Sequence, residues 1–262
     1  MPAAFRPAFT NVLIQRLMQG AAAINLAGSD DQGATRLLED ILNAGLPEVR
    51  VILADLAAYQ QSYSAFMNDL SAGLGLPEPA EALDEVVEAF ELHGGRFILL
   101  LNHLDAVWQR PDADPRFGDA FIACLGRFAL APNLALLAAS SRPLEVRITR
   151  IEQFLTQGDF EPELLRLPPL SLKRIMEEIA RSGSMLEPPA VYAAAIYAHP
   201  RPYPLLQYVL AQARQGGFPS RLNPERQIAH WIAAFEGREP EAAAPAGLPA
   251  RLRAWWRNRW KR

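Results

Sequence analysis

Cysteine is nearly absent from this chain: Cys124 is the single one in 262 residues. That excludes an intrachain disulfide framework and a cysteine-rich zinc site, and it fits a reducing compartment. Long apolar runs are missing as well. The most apolar stretches, 97–101 and 134–139, have the length of strands and fall short of the roughly 20 residues a membrane helix needs. Residues 1–7 (MPAAFRP) show no basic region followed by an apolar stretch, so no secretory signal is expected and a cytoplasmic location is. His93, His103, His199 and His230 have no metal-ligand spacing, and Ser140 and Ser141 are not framed by the glycines of a nucleophile elbow. Cys124, in an apolar helical stretch with no base beside it, is expected to be a core thiol.

What the chain does have is enough apolar residue, half of its composition, to bury one sizeable domain and a smaller companion. Its net charge of −3 is unevenly spread. Residues 247–262 carry six basic groups and no acid, which leaves 20 basic against 29 acidic groups over residues 1–246, a balance of −9. An acidic body argues against wrapping nucleic acid with its main surface and directs any polyanion to the C-terminal residues.

Short apolar runs alternate with longer amphipathic ones. Strands are expected at 22–27, 49–53, 96–101 and 134–139, with a short fifth at 164–167. Between them the 3.6-residue spacing predicts helices over 10–19 (capped by Thr10 or Asn11), 34–43, 59–74, part of 78–91, and 117–128. Such alternation implies right-handed crossovers and a mostly parallel sheet covered by helices. After Pro168-Pro169 the strands stop, and helices are expected over 170–182, 188–197, 205–215 and 223–235. Residues 236–247 are rich in Pro, Ala and Glu and read as a linker.

The strand at 22–27 runs into Gly28-x-x-x-x-Gly33-Ala34-Thr35 and then a helix, which is the spacing of a phosphate-binding loop. In a working loop a lysine after the second glycine neutralises phosphate and the next hydroxyl holds Mg²⁺. Here the lysine position is Ala34, the hydroxyl is Thr35, Arg36 follows, and the loop interior carries Asp30 and Asp31. A carboxylate near a triphosphate repels it by about 1 kcal/mol or more at an effective dielectric of about 20. A glycine-bounded strand-to-helix turn without a ligand is the other reading of this stretch.

Further along, Phe97-Ile-Leu-Leu-Leu101-Asn102-His103-Leu104-Asp105 looks like the Walker B strand of AAA+ and STAND ATPases, with Asn102-His103 where an aspartate–glutamate pair normally stands. The strand ending Ala139-Ser140-Ser141-Arg142 resembles the sensor-1 strand of the same superfamily, and the stretch from Tyr197 to Tyr208 is similar to the lid of STAND and origin-recognition-like ATPases, with Pro204 matching a proline that lies near the adenine. The resemblance covers about residues 10–215. It implies a three-layer α/β P-loop NTPase-like core over 1–168, a parallel five-stranded sheet in the order 5-1-4-3-2, and an all-helical lid over 169–235. It implies a nucleotide pocket formed by Gly28, Gly33, Ala34, Thr35, Arg36 and Pro204. It also implies catalytic positions at Asn102, His103, Asp105, Ser141 and Arg142, with Thr35 and Asp105 as the candidate Mg²⁺ ligands. With Ala34, Asn102 and His103 changed together, the expected function is that of a pseudo-ATPase: a regulatory or scaffolding subunit that binds partner proteins, open to oligomerisation, with no cofactor. The alternative is an ATPase that holds ATP or ADP and Mg²⁺ through unconventional ligands such as Arg36 and Arg142.

Residues 248–262 (LPARLRAWWRNRWKR) form the second unusual feature. At 100° per residue Leu248, Leu252, Trp255, Trp256 and Trp260 fall in one arc, and Arg253, Arg257 and Lys261 group opposite, with Arg259 intruding on the apolar arc. This pattern suits a membrane interface or a partner's groove, the protein's own acidic stretch 78–91, or a nucleic acid whose bases stack on indoles.

Overall fold

The computed structural model describes residues 4–28, 32–93, 95–108, 110–143, 162–182, 186–215 and 223–237. Asp30, Asp31 and the whole C-terminal stretch 248–262 therefore lie outside the described residues, as does most of the expected linker.

Contacts divide the chain into two compact units, Met1–Leu167 and Pro168–Arg262. The first holds α1 (Pro7–Met18), β1 (Ala22–Ala27), α2 (Ala34–Leu42), β2 (Val49–Asp55), α3 (Leu56–Tyr59), α4 (Tyr63–Leu74) and α5 (Leu83–His93). These are followed by β3 (Arg96–Asn102), α6 (Asp119–Arg127), β4 (Leu134–Ser140) and β5 (Glu163–Arg166). The five strands form one sheet in the order β2-β3-β4-β1-β5, every pairing parallel. Read from the other edge this is 5-1-4-3-2, the expected order.

The sheet is the middle of three layers, and the sequence shows why. β3 and β4 are buried along nearly their whole length, as a parallel strand covered on both faces must be. Successive residues point to opposite faces. Phe97, Leu99, Leu101, Leu134, Leu136 and Ala138 join the core under α4, α5 and α6, while Ile98, Leu100, Ala135, Leu137 and Ala139 join the core under α1 and α2.

Several element ends differ from the sequence expectation, each for a local reason. α1 starts at Pro7, with Arg6 as its N-cap, so Thr10 is a buried helix residue and does not cap; proline at the first helical position favours the earlier start. The helix expected over 59–74 is two. Asp55 caps α3 through the Ala57 N–H at 3.1 Å, the chain leaves helical geometry, and the Ser62 hydroxyl restarts it by accepting the Ala65 N–H. A 3-10 turn, Pro115–Phe117, precedes α6.

The turn before α6 is held by one carboxylate. Asp114 accepts the Tyr63 N–H at 2.9 Å, the Arg116 N–H at 3.0 Å and both the Nε and Nη2 groups of Arg116. Paired first with the Arg116 side chain, its carboxyl is held well below the usual carboxylate range.

The second unit contains α7 (Leu172–Arg181), α8 (Pro189–Ala198), α9 (Pro202–Arg214) and α10 (Pro224–Phe235), with no strand among its described residues. Ser171 and Asn223 cap α7 and α10 through their side chains. Tyr192 of α8 donates its hydroxyl to Gln227 of α10 at 3.0 Å in the buried interior. Among the described residues no helix is long and apolar enough to cross a membrane.

A depressed folded-state pKa contributes stability that is present above the unfolded value and lost as pH falls through the folded one. Asp114→Asn is therefore expected to lower the urea midpoint at pH 7. The gap from wild type should narrow as pH drops below about 4, the ordinary carboxylate value; a gap that stays constant down to strong acid would contradict the assignment.

Candidate functional site

The carboxyl ends of β1, β3 and β4 and the start of α2 meet in a small open cleft, lined by Gly28, Ala34, Asn102, His103, Ala139, Ser140 and Ser141. In an open parallel sheet this is where ligands bind, at the point where the chain order reverses. Successive crossovers here leave β1 between β4 and β5.

Both glycines of the loop have reasons that lie in the fold. A Cβ on Gly28 would sit 2.6 Å from the Leu167 Cβ, too close for any side chain, and the Gly28 N–H donates to the Ser140 carbonyl at 2.9 Å. Gly33 has φ +84°, in the left-handed region, and is the N-cap of α2 without a side-chain cap. Ala34 is fully buried as the first residue of α2.

Asn102, 2% exposed, donates from Nδ2 to the Thr35 hydroxyl at 3.0 Å. Its neighbour His103 has φ +53° and turns its Nδ1 to Asp55 Oδ1 at 2.6 Å. A carboxylate only accepts, so Nδ1 carries the proton, and the 3.1 Å approach of the Asn102 Nδ2 to that nitrogen sets two donors face to face. With the amide turned over, its oxygen accepts from the Thr35 hydroxyl and no longer opposes Nδ1–H with a second donor, and Thr35, Asn102, His103 and Asp55 lie side by side across α2, β3 and β2.

A second network closes β4. Asn25, buried in the middle of β1, donates to Ser140 Oγ at 2.8 Å and to the Ala138 carbonyl at 3.1 Å, and the Ser140 hydroxyl donates to the Arg142 carbonyl at 2.6 Å. Beyond it Asp105, in a 3-10 turn after β3, accepts both the backbone N–H and the hydroxyl of Ser141.

The structure thus brings Gly28, Ala34, Thr35, Asn102, His103, Ser141 and Asp105 to one region. Arg36 turns aside: its Nε donates to Asp40 at 2.9 Å. Arg142 is exposed. Pro204 sits in the first turn of α9, in the second unit, half-buried. Among the described residues no group of three or more His, Cys, Asp or Glu side chains could hold a metal. Cys124 is buried in α6, and burial pushes its thiol up to about 12, which makes it inert toward ordinary thiol chemistry at neutral pH.

Sequence reasoning missed Asn25, Asp55, Arg6 and Asp40. Asn25 had a signal, a polar side chain inside an otherwise apolar strand run. Asp55 ends the second strand but points to His103, 48 residues away, and nothing local announces that.

No family model matches the sequence, and no curated protein matches it. Solved structures do resemble it. Drosophila ORC bound to DNA superposes with a TM-score of 0.56 at 16% identity over 93% of this chain and 70% of that one. A Walker-type ATPase of Pyrococcus abyssi gives 0.55 at 14% over 100% and 79%, and the Cdc6p of Pyrobaculum aerophilum gives 0.52 at 14% over 97% and 84%. The chain has the AAA+ fold.

At such identities the likeness carries architecture and leaves chemistry to the residues themselves. In this AAA+ fold the Gly28–Leu167 contact explains one glycine of the loop without any ligand. Gly28→Ala is expected to destabilise the protein by about 1–3 kcal/mol, since the added methyl must push β5 and the residues after it away from β1. Urea denaturation measures it, and an unchanged midpoint would contradict the packing account.

Proposed function

We propose that this AAA+-fold chain is a pseudo-ATPase, a regulatory or scaffolding subunit of the cytoplasm that acts by binding partner proteins. One observation carries the proposal: the position after the loop's second glycine is a buried alanine, and the hydroxyl that follows, Thr35, is hydrogen-bonded to an amide, Asn102. A phosphate-binding lysine and a metal-binding carboxylate act directly on transition-state charge, and loss of one such group lowers the rate by about 10² to 10³. An amide is a weaker Mg²⁺ ligand than a carboxylate. Two carboxylates bonded to residues that line the cleft, Asp55 and Asp105, are engaged with His103 and Ser141.

The alternative is an ATPase holding ATP or ADP and Mg²⁺ through unconventional ligands. It draws support from the retained Thr35, which follows the cleft-lining Ala34 at the start of α2. Denaturing the purified full chain and assaying the supernatant separates the two. Under the proposal no adenine nucleotide is released, and phosphate release from Mg-ATP stays at background. Stoichiometric nucleotide in the supernatant, or turnover, would overturn it.

The C-terminal residues complete the proposal. Six cations without an acid, beside Leu248, Leu252, Trp255, Trp256 and Trp260 at helical spacing, suit reversible attachment to an anionic surface, with indoles at headgroup depth and about 1 kcal/mol per cation near the lipid. Tested by co-sedimentation, the full chain is expected to bind vesicles containing phosphatidylserine and to ignore phosphatidylcholine vesicles. Replacing Trp255, Trp256 and Trp260 by alanine should weaken binding by about tenfold or more. Equal binding to both vesicle types, or selective retention on single-stranded DNA, would contradict the membrane assignment; the second result would favour nucleic-acid association.

A further inference from the structure

The turn between α8 and α9 reads His199-Pro200-Arg201-Pro202. Proline carries no N–H, so Arg201 supplies the one backbone donor between His199 and Tyr203. That donor goes to a side chain: the Arg201 N–H is bonded to His199 Nδ1 at 3.0 Å. His199 is the C-cap residue of α8 and Arg201 the N-cap residue of α9, so the bond ties the end of one helix to the start of the next. The imidazole is 8% exposed. Its other nitrogen, Nε2, is buried without a hydrogen bond, 3.5 Å from Oε1 of Glu236, the C-cap residue of α10. Phe235, the last residue of α10, sets its ring 5.6 Å from the imidazole and 5.6 Å from the Arg201 guanidinium. One histidine thus touches the ends of three helices.

A backbone N–H only donates, so Nδ1 is the acceptor and the proton of the neutral ring sits on Nε2, facing the carboxylate. A second proton must go to Nδ1, where it meets the Arg201 N–H donor to donor. Protonation therefore undoes the hold on α9 and turns the approach of Nε2 to Glu236 into an ion pair. Histidine is the side chain whose charge changes between about pH 5 and 8. We infer that His199 is a proton-operated latch: the neutral ring holds the start of α9, and the imidazolium releases it and grips the end of α10. Among the described residues Glu236 is the one charged group within ion-pair distance of the ring. From α9 come Arg201 and Tyr208, both packed on Phe235. α8 itself carries no charged residue, and α7, which packs on it, pairs Lys173 and Arg174 with Glu177 and Arg181 with Glu178. Arg201 is exposed and moves with its backbone, so the face that Arg201 and Phe235 form changes with the latch. The device lies within the second unit and is independent of what the cleft beside β1 binds.

Hydrogen exchange of the Arg201 amide, read by NMR on the full chain at about pH 8 and about pH 5, tests this. Expressed as a protection factor, which removes the intrinsic pH dependence of exchange, it is expected to fall by about tenfold or more at the lower pH. His199→Asn is the decisive variant. An asparagine oxygen accepts the N–H two residues on and takes up no proton in this range, so protection should stay high at both pH values. Glu236→Gln, which removes the charge that favours the imidazolium, should move the step to lower pH. His230→Asn, at an exposed position of α10, should leave it in place. Equal protection of the wild-type amide at both pH values would overturn the inference. So would a fall that persists in His199→Asn, because the proton would then act elsewhere, and a step unmoved by Glu236→Gln would remove the grip on α10.

Discussion

The placement of β1 between β4 and β5 governs everything at the cleft. Hydrogen-bonded on both sides, β1 is fixed in register from Ala22 opposite Ala135 to Ala27 opposite Ser140, and its far side meets Glu163 to Arg166. That register sets Gly28 against Leu167, aligns Asn25 with the Ser140 hydroxyl, and delivers the chain to α2 at the crevice where the strand order reverses. It rests in turn on β3 and β4, whose alternate residues fill two separate cores. A slip of one residue would exchange those faces and take the strand ends out of line.

Once aligned, the polar groups at the strand ends bond chiefly to one another. Thr35 meets Asn102, His103 meets Asp55, Ser141 meets Asp105, and Ser140 meets Asn25. The bonds of Asn102, Asn25 and Ser140 satisfy buried groups, where an unmade hydrogen bond costs about 1–3 kcal/mol, while the His103–Asp55 and Ser141–Asp105 pairs are partly exposed. The same bonds compete with any phosphate or metal for those groups. Buried Ala34 adds no charge. The AAA+ architecture is intact, and the polar groups at its strand ends are paired with one another.

The sheet was legible in the sequence because its strands are so thoroughly buried that composition alone marks them: RFILLL and LALLAA admit little but a covered parallel strand. Their order came from the resemblance carried by motif order. The break between α3 and α4 was hidden because the apolar spacing runs on across it, while Asp55 and Ser62 cap from outside the periodic positions. The network around Asp40 was hidden for another reason. Phe5 and Asp40 are 35 residues apart, Arg6 and Gln32 are 26 apart, and no local pattern distinguishes a buried arginine on a loop carbonyl from a surface one. The two glycines illustrate the converse: their spacing suggests phosphate, and packing against Leu167 together with a positive φ accounts for them without it.

The central claim is that the cleft beside β1 does not neutralise a triphosphate. Calorimetric titration of Mg-ATP into the full chain addresses it most directly. The account predicts no saturable heat up to millimolar nucleotide; a one-to-one isotherm with a micromolar Kd would contradict it.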